Sequence, residues 1–318
     1  MAAELTGGMD LSIIIVSWNT CRLLDECLDS VQQELARQRE KMRLHAEVFV
    51  VDNGSTDGSV EMVRTRYPEV AVIANSHNPG FAGANNQALV RARGRYSLLL
   101  NPDTVVLPDG FGALVRFMDD HPHAGAAGSR LLNADRTLQP SCSPAPTLAR
   151  ELWRMFHIDW LYPYGEYNMS RWPLTEPRPV DSVQGAAMLV RRSTQDQVGL
   201  LDSGYFMYSE EVDWCTRIKD AGWEIYWVPS SQVVHYGGQS ARQVADAMFL
   251  QLYRGKIQYF HKHWGRFATA AYKLVLGLAT LARLALTPLI WLEPASRRQR
   301  HLVLARQYGL LLRALPGM

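Results

Sequence analysis

Three carboxylates fall within four residues at Glu210, Glu211 and Asp213, inside YSEEVDW (Tyr208–Trp214). Acids this close raise one another's pKa, which suits one of them to take a proton from a hydroxyl as a general base. At a helix start the same acids complement the helix dipole, so a capping role stands beside the catalytic one. A second carboxylate, Asp103 in LLLNPDT (Leu98–Thr104), follows an apolar run. Placed there with Asn101, it suits a divalent cation shared with substrate phosphates, because hard cations prefer oxygen ligands. An Asx turn stopped by Pro102 is the plainer alternative. Asp52 closes another apolar run in VDNGSTDGS (Val51–Ser59) and is placed to accept the N–H of a planar base, or else belongs to an ordinary turn. His235, followed by Tyr236, Gly237 and Gly238, is a lone histidine that a tight loop could aim at a metal.

These residues need a scaffold that brings strand ends together. Leu11–Ser17, Glu47–Val51, Val70–Ala74 and Tyr96–Leu100 read as strands. Helical spacing between them covers Leu23–Leu35, Ser59–Arg66 and Ala84–Arg93. Such alternation predicts βαβ units with a parallel sheet, and the continuous apolar runs predict strands covered on both faces. VSWN (Val16–Asn19), with Ser17 and Asn19, then lies at a strand end beside Asp52. The segment Asn78-Pro79-Gly80-Phe81-Ala82-Gly83-Ala84-Asn85-Asn86 reads as a glycine-bearing turn entering a helix. It either brings backbone N–H groups to a ribose or phosphate or is simply a tight connection. It lacks GxGxxG, which disfavours a nicotinamide dinucleotide. Further on, a helix is expected at Phe111–Asp119, strands at Ala124–Ser129, Val183–Arg191 and Glu224–Val228, and a helix at Glu211–Ala221. Residues 139–180 hold seven prolines and many aromatics, which predicts a long ordered loop or lid.

Length (318 residues) and a 47% hydrophobic fraction allow a full core. Four cysteines form no CxxC pair, so free thiols in a reducing compartment are expected. The N-terminal MAAELTGGMD shows no secretory signal. The net charge of +2 conceals an acidic body, −8 over residues 1–253, and a basic tail, +10 from Arg254 onward. A helix is expected at Val244–His263. The apolar stretch Phe267–Leu292, broken by Lys273, Arg283 and Pro288, has no charge-free run near the about 20 residues of a spanning helix. Apolar blocks with basic interruptions predict a helix lying on an anionic membrane surface, or else a subdomain packed on its own core. The apolar blocks disfavour a nucleic-acid partner.

In combination and order, VSWN, VDNGSTDGS, NPGFAGANNQA, LLLNPD, GAAMLVRR (Gly185–Arg192), FMYSEEVDWCTR (Phe206–Arg217) and VVHYGG (Val233–Gly238) resemble the family-2 inverting glycosyltransferases. They resemble especially the bacterial rhamnosyltransferase-like branch, over roughly residues 10–240. The resemblance implies a GT-A fold: an α/β, mostly parallel mixed sheet with helices on both faces. Here it would form a catalytic domain over residues 1–240, followed by a basic, membrane-associating helical region over 241–318. It implies that Asp52, with Ser17 and Asn19 beside it, contacts a pyrimidine, and that Asn78, Gly80, Gly83 and Asn86 belong to the donor site. Asp103 matches the last acid of the family's DxD metal motif, with Asn101 at its first position, and His235 matches the position completing the metal shell.

The implied cofactor is Mn²⁺ or Mg²⁺. Glu211 falls where the family usually has a catalytic Asp, and Asp213 is the second candidate base. The implied reaction is a single displacement from a dTDP- or UDP-sugar, rhamnose favoured, onto a glycan or lipid-linked acceptor. The expected place is cytoplasmic, at the inner membrane face, with a homo-oligomer left open. A non-catalytic binder of nucleotide sugar or glycan is the rival reading; a dehydrogenase or nucleotidyltransferase is disfavoured by the missing GxGxxG.

Overall fold

Every residue of Leu11–Ser17 (β1) is buried, as are all five of Tyr96–Leu100 (β4), so this sheet is covered on both sides. Leu11, Ile13 and Ile15 share one apolar cluster with Leu24, Cys27, Leu28 and Val31 of Cys21–Met42 (α1). Ile14 points the other way by the two-residue period of a strand and is equally buried. A fully buried leucine or isoleucine contributes about 1.5–3 kcal/mol, so the triple isoleucine makes β1 the anchor of the sheet.

The computed structural model describes residues 8–239, 243–288 and 294–318. After α1 come Ala46–Asp52 (β2), Ser59–Arg66 (α2), Ala71–Ala74 (β3) and Gly80–Leu89 (α3). Beyond β4 lie Thr104–Val106 (β5), Gly110–Asp120 (α4), Ala124–Leu132 (β6), Cys142–Ser143 (β7) and Leu148–Met155 (α5). Then follow Arg178–Pro179 (β8), Ser182–Val183 (β9), Ala187–Arg191 (β10), Arg192–Val198 (α6), Glu210–Asp220 (α7) and Glu224–His235 (β11). Ala245–Ala285 (α8) and Ala295–Ala314 (α9) complete the chain's longer elements.

The sheet order is β3-β2-β1-β4-β10-β6-β11-β5, with β8 on β11. β3, β2, β1 and β4 are mutually parallel, β10 runs antiparallel between β4 and β6, and β11 is parallel to β6. The chain lays β2 and β3 on one side of β1 and then crosses to lay β4 on the other. Ligands bind outside the carboxyl ends of the strands at such a switch point.

Three sequence expectations need correcting. The third helix starts at Gly80, four residues before Ala84, because the turn at Pro79 already begins the helix. β11 runs to His235 instead of ending at Val228, since register shifts between Val228 and Gln232 absorb Pro229–Ser231 without ending the strand. Residues 139–180 are also more than a loop: they hold β7, α5 and β8.

The chain divides into two compact units. The first takes in the residues up to Ala145, Asn168–Phe206 and the chain from Glu210; the second takes in Pro146–Tyr167, Met207–Ser209 and the chain from Gln243. The expected boundary at 240/241 lies outside the described residues, and the aromatic 146–167 stretch folds with the second unit. That unit has its own core of Met155, Ile257, Phe260, Tyr272, Leu276, Leu311 and Leu315.

Within α8 the backbone breaks at Gly265 (φ 77°), dividing it into two arms, as the expected gap between 263 and 267 requires. Among the described residues α8 is the one helix long and apolar enough, by length and composition, to cross a membrane. In its second arm Tyr272, Leu276, Ala279 and Thr280 are buried, while Phe267, Leu274, Leu278 and Leu281 are exposed. At 3.6 residues per turn the exposed set forms a stripe on the side opposite the buried set. Residues 289–292, the end of the expected apolar stretch, lie outside the described residues.

Candidate active site

Asp52 ends β2 level with Ser17 at the end of β1. Its Oδ2 accepts the N–H of Ser55 at 2.8 Å, while Oδ1 is buried without a partner among the described residues. A buried, unpaired carboxylate oxygen is costly unless a donor arrives, and the N–H of a bound base is such a donor. Around it, two loops are tied together. Asn19, in the left-handed region at φ 50°, donates its N–H to Ser55 Oγ at 2.9 Å, and its Oδ1 accepts from Thr56 N at 2.9 Å. Asp57 accepts from Cys21 N at 2.7 Å. Burial works against the Asp57 charge, but hydrogen bonds from Ser59 and Cys21 outweigh it and hold the carboxyl below its usual range. Ser17 is fully buried and bonds Thr20 at 3.0 Å, so it shapes the loop from within.

In the Asn78–Asn86 segment two of the N–H groups expected to face a ribose or phosphate are already spent. The Gly80 N–H already donates to Asn78 Oδ1 at 2.9 Å, and the Phe81 N–H to Phe206 O at 2.7 Å. Asn86 spends its amide N–H on Leu201 O at 2.7 Å, and Gly83 packs on Pro79. Gly80 has φ +81°, and a Cβ there would fall 2.3 Å from Phe206 O. The segment is therefore a joint fastening α3 to the strand of chain that leads into α7.

At the end of β4, Asn101 donates its N–H to Ala186 O at 3.0 Å. Thr104 Oγ1 donates to Asn101 O at 2.7 Å, closing a turn that presents Asp103. Asp103 is almost completely buried. Because β11 pairs antiparallel with β5, His235 stands opposite Thr104. This sets its Nε2 3.3 Å from Asp103 Oδ1 and 3.2 Å from Asn101 Nδ2. Tyr236 N donates to Asp103 O at 2.9 Å and Gln239 N reaches Asp103 Oδ2 at 3.4 Å. Gln139 holds the other side of the ring, its Oε1 2.7 Å from Nδ1. Sequence reasoning missed Gln139; its side-chain partner lies across the sheet, and no local pattern marks it.

No group of three or more His, Cys, Asp or Glu suited to a metal gathers among the described residues. Asp103 and His235 instead form a two-residue donor set. That fits a hard cation that takes its other ligands from substrate phosphates and water.

The acid cluster opens α7, with Glu210, Glu211 and Asp213 all in its first turn. Tyr208 (φ 69°) and Ser209 (φ 73°) precede it, two consecutive non-glycine residues in the left-handed region. Such conformations cost of order 1–3 kcal/mol each and concentrate at functional sites. The three acids have different surroundings. Asp213 is fully buried, and Arg217 Nε donates to its Oδ2 at 2.9 Å. Arg217 also donates to Val198 O and Leu200 O. Asp213 is thus held in a buried ion pair, which distinguishes it from Glu211.

Glu210 and Glu211 each keep a buried Oε2 with no partner among the described residues. Burial pushes both carboxyls above the ordinary range. The neighbouring Glu211 adds to the rise at Glu210, while the N–H groups of Glu211 and Val212 offset part of it at Glu211. Glu211 is partly exposed as a residue, whereas Glu210 is almost fully buried.

A short path joins this cluster to the Asp103 turn. Gly185 lies against Glu211, where an added Cβ would sit 3.9 Å from Glu211 Cβ and 3.3 Å from the Phe81 ring. The next residue, Ala186, is the one bonded to Asn101. The first unit therefore holds an unpaired carboxylate at a strand end, a carboxylate–imidazole pair and, on Glu211, a carboxyl with a buried oxygen and a raised pKa.

A model of the family described as "Glycosyl transferase family 2" matches residues 12–174. The chain is 31% identical over 244 residues to an N-acetylglucosaminyl-diphospho-decaprenol L-rhamnosyltransferase of Mycobacterium tuberculosis, covering 72% of this chain and 77% of that protein. Among solved structures, a mannosyltransferase of Pyrobaculum calidifontis in complex with GDP-Man and Mn²⁺ superposes at TM-score 0.58 and 18% identity, covering 99% of this chain and 88% of that one. GalNAc-T7 with UDP, GalNAc and Mn²⁺ superposes at TM-score 0.53 and 17% identity, covering 72% of this chain and 44% of that one. The structural likenesses show a GT-A fold.

Proposed function

The chain belongs to glycosyl transferase family 2, and on that premise we propose that it is an inverting enzyme. It moves a sugar, rhamnose favoured, from a dTDP- or UDP-linked donor to a hydroxyl of a glycan or lipid-linked acceptor. The rhamnosyltransferase relative supports the sugar and the acceptor class. The unpartnered, buried Asp52 Oδ1 supports a pyrimidine donor, since it offers one acceptor to a ring N–H. The GT-A neighbours bound to Mn²⁺ support a divalent metal, Mn²⁺ or Mg²⁺.

The observation that carries the reading is the path Glu211–Gly185–Ala186–Asn101, in which packing and one backbone hydrogen bond link a carboxyl of raised pKa to the Asp103 turn. Asp52 binds and orients the base. Asp103 and His235 are the residues that would hold a divalent cation, which would supply neutralisation of the charge growing on the leaving group. Glu211 takes the proton of the acceptor hydroxyl as that oxygen attacks the anomeric carbon. The sugar–phosphate bond breaks on the opposite face, so the configuration inverts and no covalent intermediate forms. Glu210 stays protonated beside it, because two buried carboxylates side by side resist joint ionisation.

The second unit carries the reading of place. Phe267, Leu274, Leu278 and Leu281 form an exposed stripe with no charge on it. Lys273 and Arg283 turn away from it, donating to Met318 O and Met155 O. With a tail charge of +10, this face suits an anionic membrane surface on the cytoplasmic side.

A thermal-shift screen of nucleotide sugars with and without Mn²⁺ or Mg²⁺ tests the donor half. A metal-dependent rise in melting temperature with dTDP- or UDP-sugars is expected, because ligands that bind only the folded state stabilise it. A response to purine donors alone, or to none, contradicts it.

A further inference from the structure

We propose that Gln139 is a positioning residue: it fixes His235 as the Nδ1–H tautomer, so that the Nε2 lone pair faces Asp103. This rests on the reading of Asp103 and His235 as the metal pair. Two hydrogen bonds to one residue carry the argument. Gln139 Oε1 lies 2.7 Å from His235 Nδ1, and Gln139 Nε2 lies 3.1 Å from the backbone O of the same His235.

An amide's orientation is assigned from its partners, and here one partner settles it. The His235 carbonyl can only accept, so the amide nitrogen must face it. The oxygen then faces Nδ1, and an oxygen can only accept from Nδ1–H. Asn133 locks the same orientation, its Oδ1 accepting from Gln139 Nε2 at 3.0 Å while its own Nδ2 donates to Thr137 Oγ1 at 2.9 Å.

The backbone around Gln139 explains how it arrives there. Leu132 at the end of β6 pairs with Leu138 in an antiparallel bridge, and Gln139 N donates to Leu131 O at 2.9 Å. The chain between them folds back through Arg136 at φ 67°, with Thr137 N donating to Asp135 Oδ1 at 3.0 Å. β6 also lies parallel to β11, with Val234 opposite Leu132. The reversal thus delivers Gln139 beneath the last residue of β11, where it grips both ring and backbone.

With the proton on Nδ1, Nε2 is an acceptor. Asn101 Nδ2, 3.2 Å away, can donate to that single lone pair, a bond that a cation would have to displace. Asp103 Oδ1, 3.3 Å from Nε2, is also an acceptor. Two acceptors facing each other at that distance leave a place that a cation satisfies. A histidine ligand commonly donates its second ring N–H to a fixed acceptor, and losing that partner typically costs 10–100-fold in metal affinity.

The test uses the full chain, Mn²⁺, and whichever of UDP or dTDP raises the wild-type melting temperature with it. Two-bond ¹H–¹⁵N spectra of the ring, with His235 assigned by comparison with His235→Asn, should show Nδ1–H in the metal-free wild type. In Gln139→Leu the ring should become a tautomer mixture. The Mn²⁺ concentration at half-saturation should rise about 10- to 100-fold while kcat at saturating Mn²⁺ stays within about twofold. Gln139→Glu keeps an acceptor for Nδ1–H and should restore most of the affinity. An Nε2–H ring in the wild type, unchanged Mn²⁺ affinity in Gln139→Leu, or equal damage from Leu and Glu each overturns the proposal. A wild type that binds no Mn²⁺ at all overturns instead the metal reading on which it rests.

Discussion

His235 Nε2 stands 3.3 Å from Asp103 Oδ1, and this contact exists because His235 faces Thr104 across the antiparallel pairing of β11 with β5. If the pair holds the cation, Asp103→Ala should abolish the Mn²⁺-dependent part of stabilisation by UDP or dTDP. For the wild type that part is about 2.7 kcal/mol at a ligand concentration 100-fold above its Kd. Thermal melts with nucleotide, with and without Mn²⁺, read it directly; an Asp103→Ala protein that keeps the full Mn²⁺ increment places the metal elsewhere.

Asp52 offers a second, separable effect. Asp52→Asn keeps an oxygen for the Ser55 N–H but removes the charge and a lone-pair acceptor from the base site. Loss of a hydrogen bond to a charged group is worth about 1.5–3 kcal/mol, so KM for the donor should rise roughly 10- to 100-fold with kcat little changed. A fall in kcat at constant KM would assign Asp52 to the chemistry and not to the base.

Asp213 and Glu211 sit in the same helical turn and should behave oppositely. Removing one partner of a buried ion pair leaves the other uncompensated, so Arg217→Met should destabilise the fold by about 3–5 kcal/mol. The sign for Glu211 follows from its raised pKa. A carboxyl whose folded pKa lies above its unfolded value adds most stability at low pH and loses it as pH rises through the folded pKa. Glu211→Gln should therefore flatten the decline of stability above the normal carboxylate range. Denaturant midpoints measured across pH 4–8, on the order of that window, check both. A Glu211→Gln curve parallel to the wild type would show that the wild-type carboxyl is not strained by burial.

The positions of Asp52 and Asp103 were legible because both stand at strand ends. Apolar runs announce β2 and β4, and Asp52 and Asp103 stand where those runs stop. The acid cluster was legible as chemistry but not as a division of labour. Only the Arg217 partner, four residues on, tells Asp213 from Glu211. His235 was suspected from its glycine neighbours. Its aim came from a strand that continues through Pro229–Ser231, where proline and serines read as a stop. The Asn78–Asn86 glycines looked like a phosphate cradle because a helix N-terminus normally leaves its first N–H groups free. Here Phe206 O and Asn78 Oδ1 take them, and a carbonyl distant in sequence leaves no trace in the local pattern.

The second unit yields a prediction of its own. Leu274→Glu with Leu278→Glu alters only exposed positions on the outer face of α8, so the fold should persist while co-sedimentation with anionic vesicles falls. Neutral vesicles should bind the wild type more weakly than anionic ones, since the charge attraction is lost. Unchanged co-sedimentation of the double variant would assign the stripe to something other than lipid.

Glu211 is the proposed base, and Glu211→Gln tests that role most directly. Sugar transfer to the acceptor and metal-dependent nucleotide binding are measured on the same preparation. The expected result is a loss of about 10²–10⁴ in kcat with nucleotide binding intact, and for the wild type an acid limb displaced upward from the ordinary glutamate range. A Glu211→Gln protein that transfers sugar at the wild-type rate would contradict the mechanism.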